Sequence, residues 1–460
     1  MTPILTTALT GLLLAGGVLA KHDIVPGAAW TASNTGRHIQ AHGHGITYED
    51  GVYYMIGEEK SEGSSFQAVN CYSSTNLVDW DFVGNLISRD DSEPDLGPNR
   101  IIERPKVLKN DQTGKYVLFL HVDSSDYKDA RVGWGTGDTI CGEYNYLGSS
   151  RPLGKQSRDI GVFKEEDGTA YLLTEDREYG TRIMRLSEDY LSVEEITMEW
   201  EYFAESPAMV KRGGTYYIFG SHLTGWNPND NVYSTAQNLS GPWTEWTEFA
   251  PVGTNTYSSQ VSFVLPLGDD NAIYMGDRWF PNNLGASEYI WLPLQIDGNT
   301  VRLDWYDNWS VDMEAGTWQP GFPYAEYEAE AAELSNEARL LDCGGCSGSQ
   351  MVGYIGGPQG GTVSFDVEAA CDGDVTLVLK YRNGDKVTTT TFGARNAIVS
   401  VGGVEQTVDF PSTRHKGGQT AESVVQTAVK EGSNIVAVSG ADGWGPDLDV
   451  LLVPGLSCGS

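Results

Sequence analysis

Three carboxylates stand at matching places along the chain, each in surroundings that suit acid–base work. Glu103 lies in IIERPKVL, Asp159 in SRDIGVF and Glu205 in AESPAMVKRGGTYYIFG. Each sits in or beside an apolar run that reads as a strand, where an unpartnered ionised carboxylate is costly and a protonated one is favoured. A carboxyl group that keeps its proton near neutral pH is what a general acid needs to protonate a leaving oxygen. Two such groups flanking one bond are the apparatus of glycoside hydrolysis. In the inverting form they stand about 6.5–9.5 Å apart to admit a water. One acid alone reads more simply as a salt-bridged or turn-capping residue, and it is the recurrence of the position that argues for chemistry.

Other groups are less decisive. His42-Gly-His44 has ligand-like spacing on a strand, but two histidines without a third ligand point to packing rather than a metal. Cys343-Gly-Gly-Cys346 could be a redox or zinc pair, with no second such pair to complete a set. Near the other end, Tyr327–Glu330 reads YEAE, and strand alternation puts Glu328 and Glu330 on one face. These two repel unless a cation or base joins them. Asp449 in PDLDVLLVP could close an oxygen cage for Ca²⁺, with a solvated acidic edge as the alternative. Loop residues Tyr354, Asn383 and Trp444 are suited to touch a sugar, with burial as the alternative for Trp444.

The elements that must position these residues are β-strands. A turn, an aromatic-rich strand and a polar loop recur: DGVYYMIGEE from Asp50, TGKYVLFLHVD from Thr113, DGTAYLLTED from Asp167, GGTYYIFGSH from Gly213 and DNAIYMGDRW from Asp270. The starts are 63, 54, 46 and 57 residues apart, room for four strands per unit. Five such units predict an all-β chain that opens with a five-bladed β-propeller, with a β-sandwich as the alternative. After residue 310 the texture changes. Pro320 and Pro323 stiffen a linker at 319–325, between a propeller over 21–318 and a Gly-, Val- and Thr-rich β-sandwich or jelly roll over 326–460.

Composition limits the partners. The 460 residues carry 30 Lys+Arg against 63 Asp+Glu, a net charge of −33, yet charged residues are only 20%. Cations are scarce, which argues against nucleic acid, anionic membranes and polyanionic substrates. A neutral, hydroxyl-rich ligand stacking on some of the 13 Trp and 23 Tyr is compatible; solubility alone would also explain the acidity. MTPILTTALTGLLLAGGVLA reads as a signal peptide ending at Ala20, so a secreted, extracellular and monomeric protein is expected. The six cysteines suit an oxidising compartment. Division near residue 320 would force Cys71–Cys141 and leave Cys343, Cys346, Cys371 and Cys458 with three pairings. Asn238 and Asn308 begin glycosylation sequons.

The propeller with Glu103-Arg104-Pro105-Lys106, Ser157-Arg158-Asp159 and Glu205-Ser206-Pro207 resembles glycoside hydrolase family 43 over residues 24–316. The family's usual base is an Asp on the first inner strand; Gln40 in HIQAHGHGI holds that place here, which is similar to the exo-β-1,3-galactanase branch. The resemblance implies Glu205 as general acid, Asp159 as the group that tunes and orients it, and Glu103 as a substrate- or water-binding residue. It implies that Gln260, in TYSSQVSF, holds the attacking water, with an imidic-acid tautomer as one way to take its proton. Gln40, Glu58, Tyr127 and Trp226 would bind galactose. Arg278 and Trp279 are either further contacts or core, and Leu223 departs from a Thr in relatives. YEAE and DLD resemble a family-35 carbohydrate-binding module over about 325–456, in which Ca²⁺ is structural; catalysis itself would need no cofactor. The implied activity is release of galactose from β-1,3-galactan (arabinogalactan) main chains with inversion. An inactive propeller lectin and a β-xylosidase or α-arabinofuranosidase of the same family are the alternatives.

Overall fold

The computed structural model describes residues 22–388, 390–456 and 458; the leader expected over residues 1–20 lies outside them. The fold is all-β. Five four-stranded antiparallel sheets follow one another along the chain. Their opening strands are His42–Glu49, Arg100–Lys109, Ile160–Lys164, Glu205–Arg212 and Gln260–Leu267. Each opening strand packs against the next, and Gln260–Leu267 packs back on His42–Glu49. The ends of these five strands therefore share one axis.

The recurring aromatic motif is the second strand of each sheet: Val52–Glu58, Tyr116–Ser124, Ala170–Glu175, Thr215–Ser221 and Asn271–Arg278. Local chemistry explains the hairpins. Glu49 pairs with Val52, so only Asp50 and Gly51 turn the chain, both at positive φ (50° and 85°). This is the two-residue geometry whose twist matches the flanking strands and which favours Asp-Gly. Tyr, Phe, Ile and Val in the second strands then fill both faces of a buried, pleated surface.

Beyond a two-stranded ribbon, Trp309–Asp312 with Thr317–Pro320, the chain forms a six-stranded and a five-stranded sheet. The expected linker at 319–325 is not free chain. Its ends belong to the strands Thr317–Pro320 and Tyr324–Glu328. The two parts also share a core: Trp30, Trp80, Trp291 and Trp309 cluster with Val378, Val424, Val450 and Leu452 from the C-terminal sheets. Hydrogen bonds cross as well, from His38 N to Asp409 Oδ2 (2.8 Å), Lys416 Nζ to Glu288 Oε1 (2.6 Å) and Asn283 Nδ2 to Phe392 O (3.1 Å). The C-terminal part is thus docked on the N-terminal one.

Cys71 pairs with Cys141, Cys343 with Cys346, and Cys371 with Cys458. Of the two sequons, Asn238 is exposed. Asn308 is buried, donating to Asp23 Oδ2 (2.8 Å) and Phe322 O (3.1 Å), so the folded protein cannot present it for glycosylation.

Candidate active site

Where the five opening strands begin, a cleft of about 240 Å³ is lined by Glu58, Glu103, Asp159, Glu205, Gln260 and Trp226, with Arg104, Arg158, Arg177, His121, Tyr127, Gly225 and Trp279. The sequence builds this mouth in a repeated way. Register slips between Glu103 and Lys106, between Glu205 and Ala208, and between Val261 and Phe263, so each strand opens on a bulge. In the Glu-x-Pro pairs the middle residue is left-handed: Arg104 at φ 54° and Ser206 at φ 56°. A bulge re-aims a side chain at a strand end, and here it turns Glu103 and Glu205 into the cleft. Beside each opening strand, the polar end of the second strand adds a partner. Glu103 pairs in register with His121, Glu205 with Ser221, and Gln260 with Asp277.

The acids occupy different electrostatic settings. Burial pushes the Glu205 carboxyl up and the Asp159 charge adds to this, while Arg177, hydrogen-bonded to Oε1, pulls the other way; the net direction is upward. Asp159 is pushed up by burial but held well below its ordinary range by Arg104, whose Nε is 3.1 Å from Oδ2, and by His121. For Glu103 burial is outweighed by Lys60 and His121, and its Oε1 accepts from Tyr127 OH at 3.0 Å. Burial holds Glu58 up despite its contacts to Lys60 Nζ (2.7 Å) and the Arg104 amide (2.8 Å). Burial opposes charge on His121, but the hydrogen bond to Asp123 (3.0 Å) and the nearby carboxylates of Asp159 and Glu103 (3.5 Å each) outweigh it and push the ring well above its ordinary value. The cleft therefore sets carboxyls with a raised pKa, Glu205 and the Lys60-bound Glu58, beside one held low, Asp159. Such a split separates acid from charge-bearing roles.

Gln260 has a defined amide orientation. Its Oε1 accepts from Arg104 Nη2 and from Trp279 Nε1 (2.9 Å), and its Nε2 reaches Ser221 Oγ (2.8 Å) and Glu205 Oε2 (3.5 Å). Arginine and indole N–H groups only donate. The flipped amide would set donor against donor, and an imidic O–H at this position would find no acceptor. Glu103, His121 and Asp159 bring one ligand atom each within 4.8 Å of one another. Lys60, Arg104 and His121 already meet their charge, so the group works as an ion-pair network rather than a metal cage.

The model of glycosyl hydrolases family 43 matches residues 40–264. The exo-β-1,3-galactanase of Phanerochaete chrysosporium, crystallised with galactose, is 38% identical over 94% of this chain and 100% of its own, with a TM-score of 0.66. The chain belongs to glycoside hydrolase family 43. It is therefore a glycoside hydrolase. A form of the Phanerochaete enzyme with a glutamate replaced by alanine was crystallised with β-1,3-galactotriose (37% identity, the same coverage, TM-score 0.66). The exo-β-1,3-galactanase of Clostridium thermocellum is 25% identical over 93% of this chain and 99% of its own, with a TM-score of 0.61. No curated protein matches the chain by sequence.

In this family 43 hydrolase, Glu58, Glu103, Tyr127, Asp159, Glu205, Trp226 and Gln260 meet in one cleft. Two expected contacts do not line it. Gln40 is buried behind the wall, where Oε1 accepts from Lys60 N (3.2 Å) and Nε2 donates to Gly285 O (2.6 Å), so both ends of its amide are already used. Arg278 reaches Glu288 (3.3 Å) and Tyr257 O (3.0 Å) away from the acids. Leu223 is exposed outside the cleft. His42 bonds Asp277 (3.1 Å), and His44, held down to about 3 by burial, packs against Tyr289 and Trp291; this is packing, not a metal site. Sequence reasoning missed Lys60, His121, Arg158 and Arg177. A signal existed: the polar ends of the recurring motif, GEEK, HVD and TEDR, each send a residue to this mouth, Glu58, His121 and Arg177.

In the C-terminal sheets, Glu328 pairs in register with Val450, next to Asp449. Glu328 Oε2, Glu330 Oε2 and Asp449 Oδ1 are buried without a hydrogen-bond donor. Asp449 is pushed up to about 6 by burial, relieved in part by the Ser347 amide and reinforced by the charges of Glu328 and Glu330. Buried acceptors without donors fit a hard cation. Tyr354 and Trp444 stand exposed, edge to face at 5.6 Å. Asn383 does not: it is buried, donating to Gly393 O (2.7 Å) and Phe410 O (2.8 Å), so it pins a loop and cannot reach a sugar.

Proposed function

We propose that this hydrolase is a secreted exo-β-1,3-galactanase, removing galactose from the ends of β-1,3-galactan main chains of the arabinogalactan type with inversion. The observation that carries the reading is the cleft itself, in which a glutamate with a raised pKa and a glutamine meet where the five opening strands begin. Likeness along nearly the whole chain to galactanases crystallised with galactose or β-1,3-galactotriose supports the choice of sugar. Glu205 protonates the leaving oxygen, and Asp159, kept ionised by Arg104, sustains the raised pKa of Glu205 through its charge. Gln260 positions the attacking water. Gln260 and Glu205 are in contact (3.5 Å), closer than the roughly 6.5–9.5 Å of an inverting pair, so the galactosyl unit must enter between them. Taking the water's proton would require Gln260 to release Arg104 or Trp279. Glu58, Glu103, Tyr127 and Trp226 bind the sugar.

The cyclic packing of the opening strands supports a five-bladed propeller, and the two C-terminal sheets support a β-sandwich carbohydrate-binding module of the family-35 kind. In that module Glu328, Glu330 and Asp449 hold a structural Ca²⁺, and Tyr354 and Trp444 offer rings to a sugar. The monomer is the working unit. Incubation with β-1,3-galactan, xylan and arabinan tests the reading, with product anomers followed by NMR. Galactose released first as the α-anomer is the expected result. Pentose release would point to a xylan- or arabinan-directed enzyme, and binding without any product to a lectin. Glu205→Gln is expected to abolish hydrolysis and retain binding; full activity would overturn the acid assignment.

A further inference from the structure

Behind the acid lies a second glutamate that the scheme above leaves unused. Glu175 ends the strand Ala170–Glu175, is fully buried, and neither of its carboxyl oxygens has a hydrogen-bond partner. Arg177 stands between it and the cleft. The same nitrogen, Nη2, bonds Glu205 Oε1 and lies 3.6 Å from Glu175 Oε1, while Nη1 is buried and unpaired. One guanidinium thus has two carboxylates within reach and holds only one of them.

We propose that Glu175 is a proton reserve for the general acid and that Arg177 switches between the two glutamates. In the resting state Arg177 is on Glu205, which is ionised, and Glu175 carries a proton. In the reactive state Arg177 moves to Glu175. The O–H bond on Glu175 breaks, one forms on Glu205, and Arg177 keeps its own protons while changing partner. The charge of the cleft is unchanged, so no co-reactant is needed. The surroundings agree with this resting state. Burial, reinforced by the charges of Asp159 and Glu205 against those of Arg177 and Arg158, holds Glu175 up to about 8. An arginine fixed on Glu205 opposes the upward push of burial and of Asp159 and so favours the ionised form of the acid. A second acceptor for that arginine removes the obstacle, and Glu175 is a positioning residue in this sense.

The inference rests on Glu205 being the acid. The test is the pH dependence of kcat/KM on β-1,3-galactotriose for Glu175→Gln, which keeps the shape and removes the proton. Arg177 then has only Glu205 to hold, so the basic limb is expected to move down by about one unit, with activity on that limb falling about tenfold. Arg177→Met should move the limb the other way, and Glu175→Asp should restore most of the wild-type profile. At pH 7, infrared difference spectra should show a protonated-carboxyl band in the wild type that Glu175→Gln lacks. An unmoved basic limb in both Glu175→Gln and Arg177→Met, or an unchanged infrared band, overturns the proposal while an inactive Glu205→Gln leaves the acid assignment intact. Activity in Glu205→Gln would instead remove the acid assignment itself.

Discussion

Arg104→Met tests how the cleft keeps its charges in order. Arg104 is 4% exposed, and its guanidinium reaches Asp159 Oδ2 (3.1 Å), Ser262 Oγ (3.2 Å), Val261 O (3.5 Å) and Gln260 Oε1. Methionine keeps most of the stem volume and removes every donor. Stripping one partner from a buried ion pair leaves a buried charge uncompensated, at a cost of about 3–5 kcal/mol. At roughly 1–1.5 °C per kcal/mol for a unit of this size, that is a fall of about 5 °C in Tm, readable by calorimetry. The pH dependence identifies the cause. Asp159 is depressed in the native enzyme, so its pair stabilises the fold above the unfolded pKa of about 3.9 and loses that effect as pH falls through the folded value. Without Arg104 the burial of Asp159 pushes it up, and protonation relieves the variant. The gap between wild type and variant should therefore be widest at pH 7 and shrink toward pH 4. A loss under about 1 kcal/mol, the scale of an exposed pair, or an equal loss at both pH values, would refute the reasoning.

Two further outcomes are expected. Adding Ca²⁺ after chelation should raise the thermal stability of the enzyme by about 2.7 kcal/mol at one hundred times Kd. Asp449→Asn should remove that increment, and an increment that survives would place the ion elsewhere. Trp226→Ala should lower kcat/KM on galactotriose about two- to tenfold, matching an aromatic contact of about 0.5–1.5 kcal/mol. Unchanged kinetics would mean that the ring does not meet the sugar.

Much of the fold was legible because its turns carry their own chemistry. Asp50-Gly51 can hardly do anything but reverse a strand, and the aromatic run after it can hardly be other than a buried strand. The docking of the C-terminal part was not legible. Val378, Val424, Val450 and Leu452 alternate as any sandwich strand would, and nothing in that pattern tells which outward residues face solvent and which meet Trp30 and Trp309. The Pro320–Pro323 stretch read as a linker for the same reason, since composition reports stiffness and not what lies beside the chain.

The site was legible in half of its charges. A carboxylate inside an apolar run stands out because it is expensive there, which is why Glu103, Asp159 and Glu205 could be named. A cation in the same run does not stand out, because Lys and Arg often end strands with their heads in water. Amides are harder still: Gln40, which the resemblance led one to expect at the family's base position, is turned into the wall by Lys60 and Gly285, a choice set by partners distant in sequence. The net charge of −33 misleads in the same way. Around the cleft, Glu58, Glu103, Asp159 and Glu205 face Lys60, Arg104, Arg158, Arg177 and a protonated His121. Four of the chain's 30 Lys and Arg stand beside these buried carboxylates, so the field at the cleft is set by this local balance. The acidity of the chain as a whole is a property of its surface. That distinction matters for chemistry: the Asp159 charge that pushes Glu205 up persists because Arg104 holds Asp159 ionised.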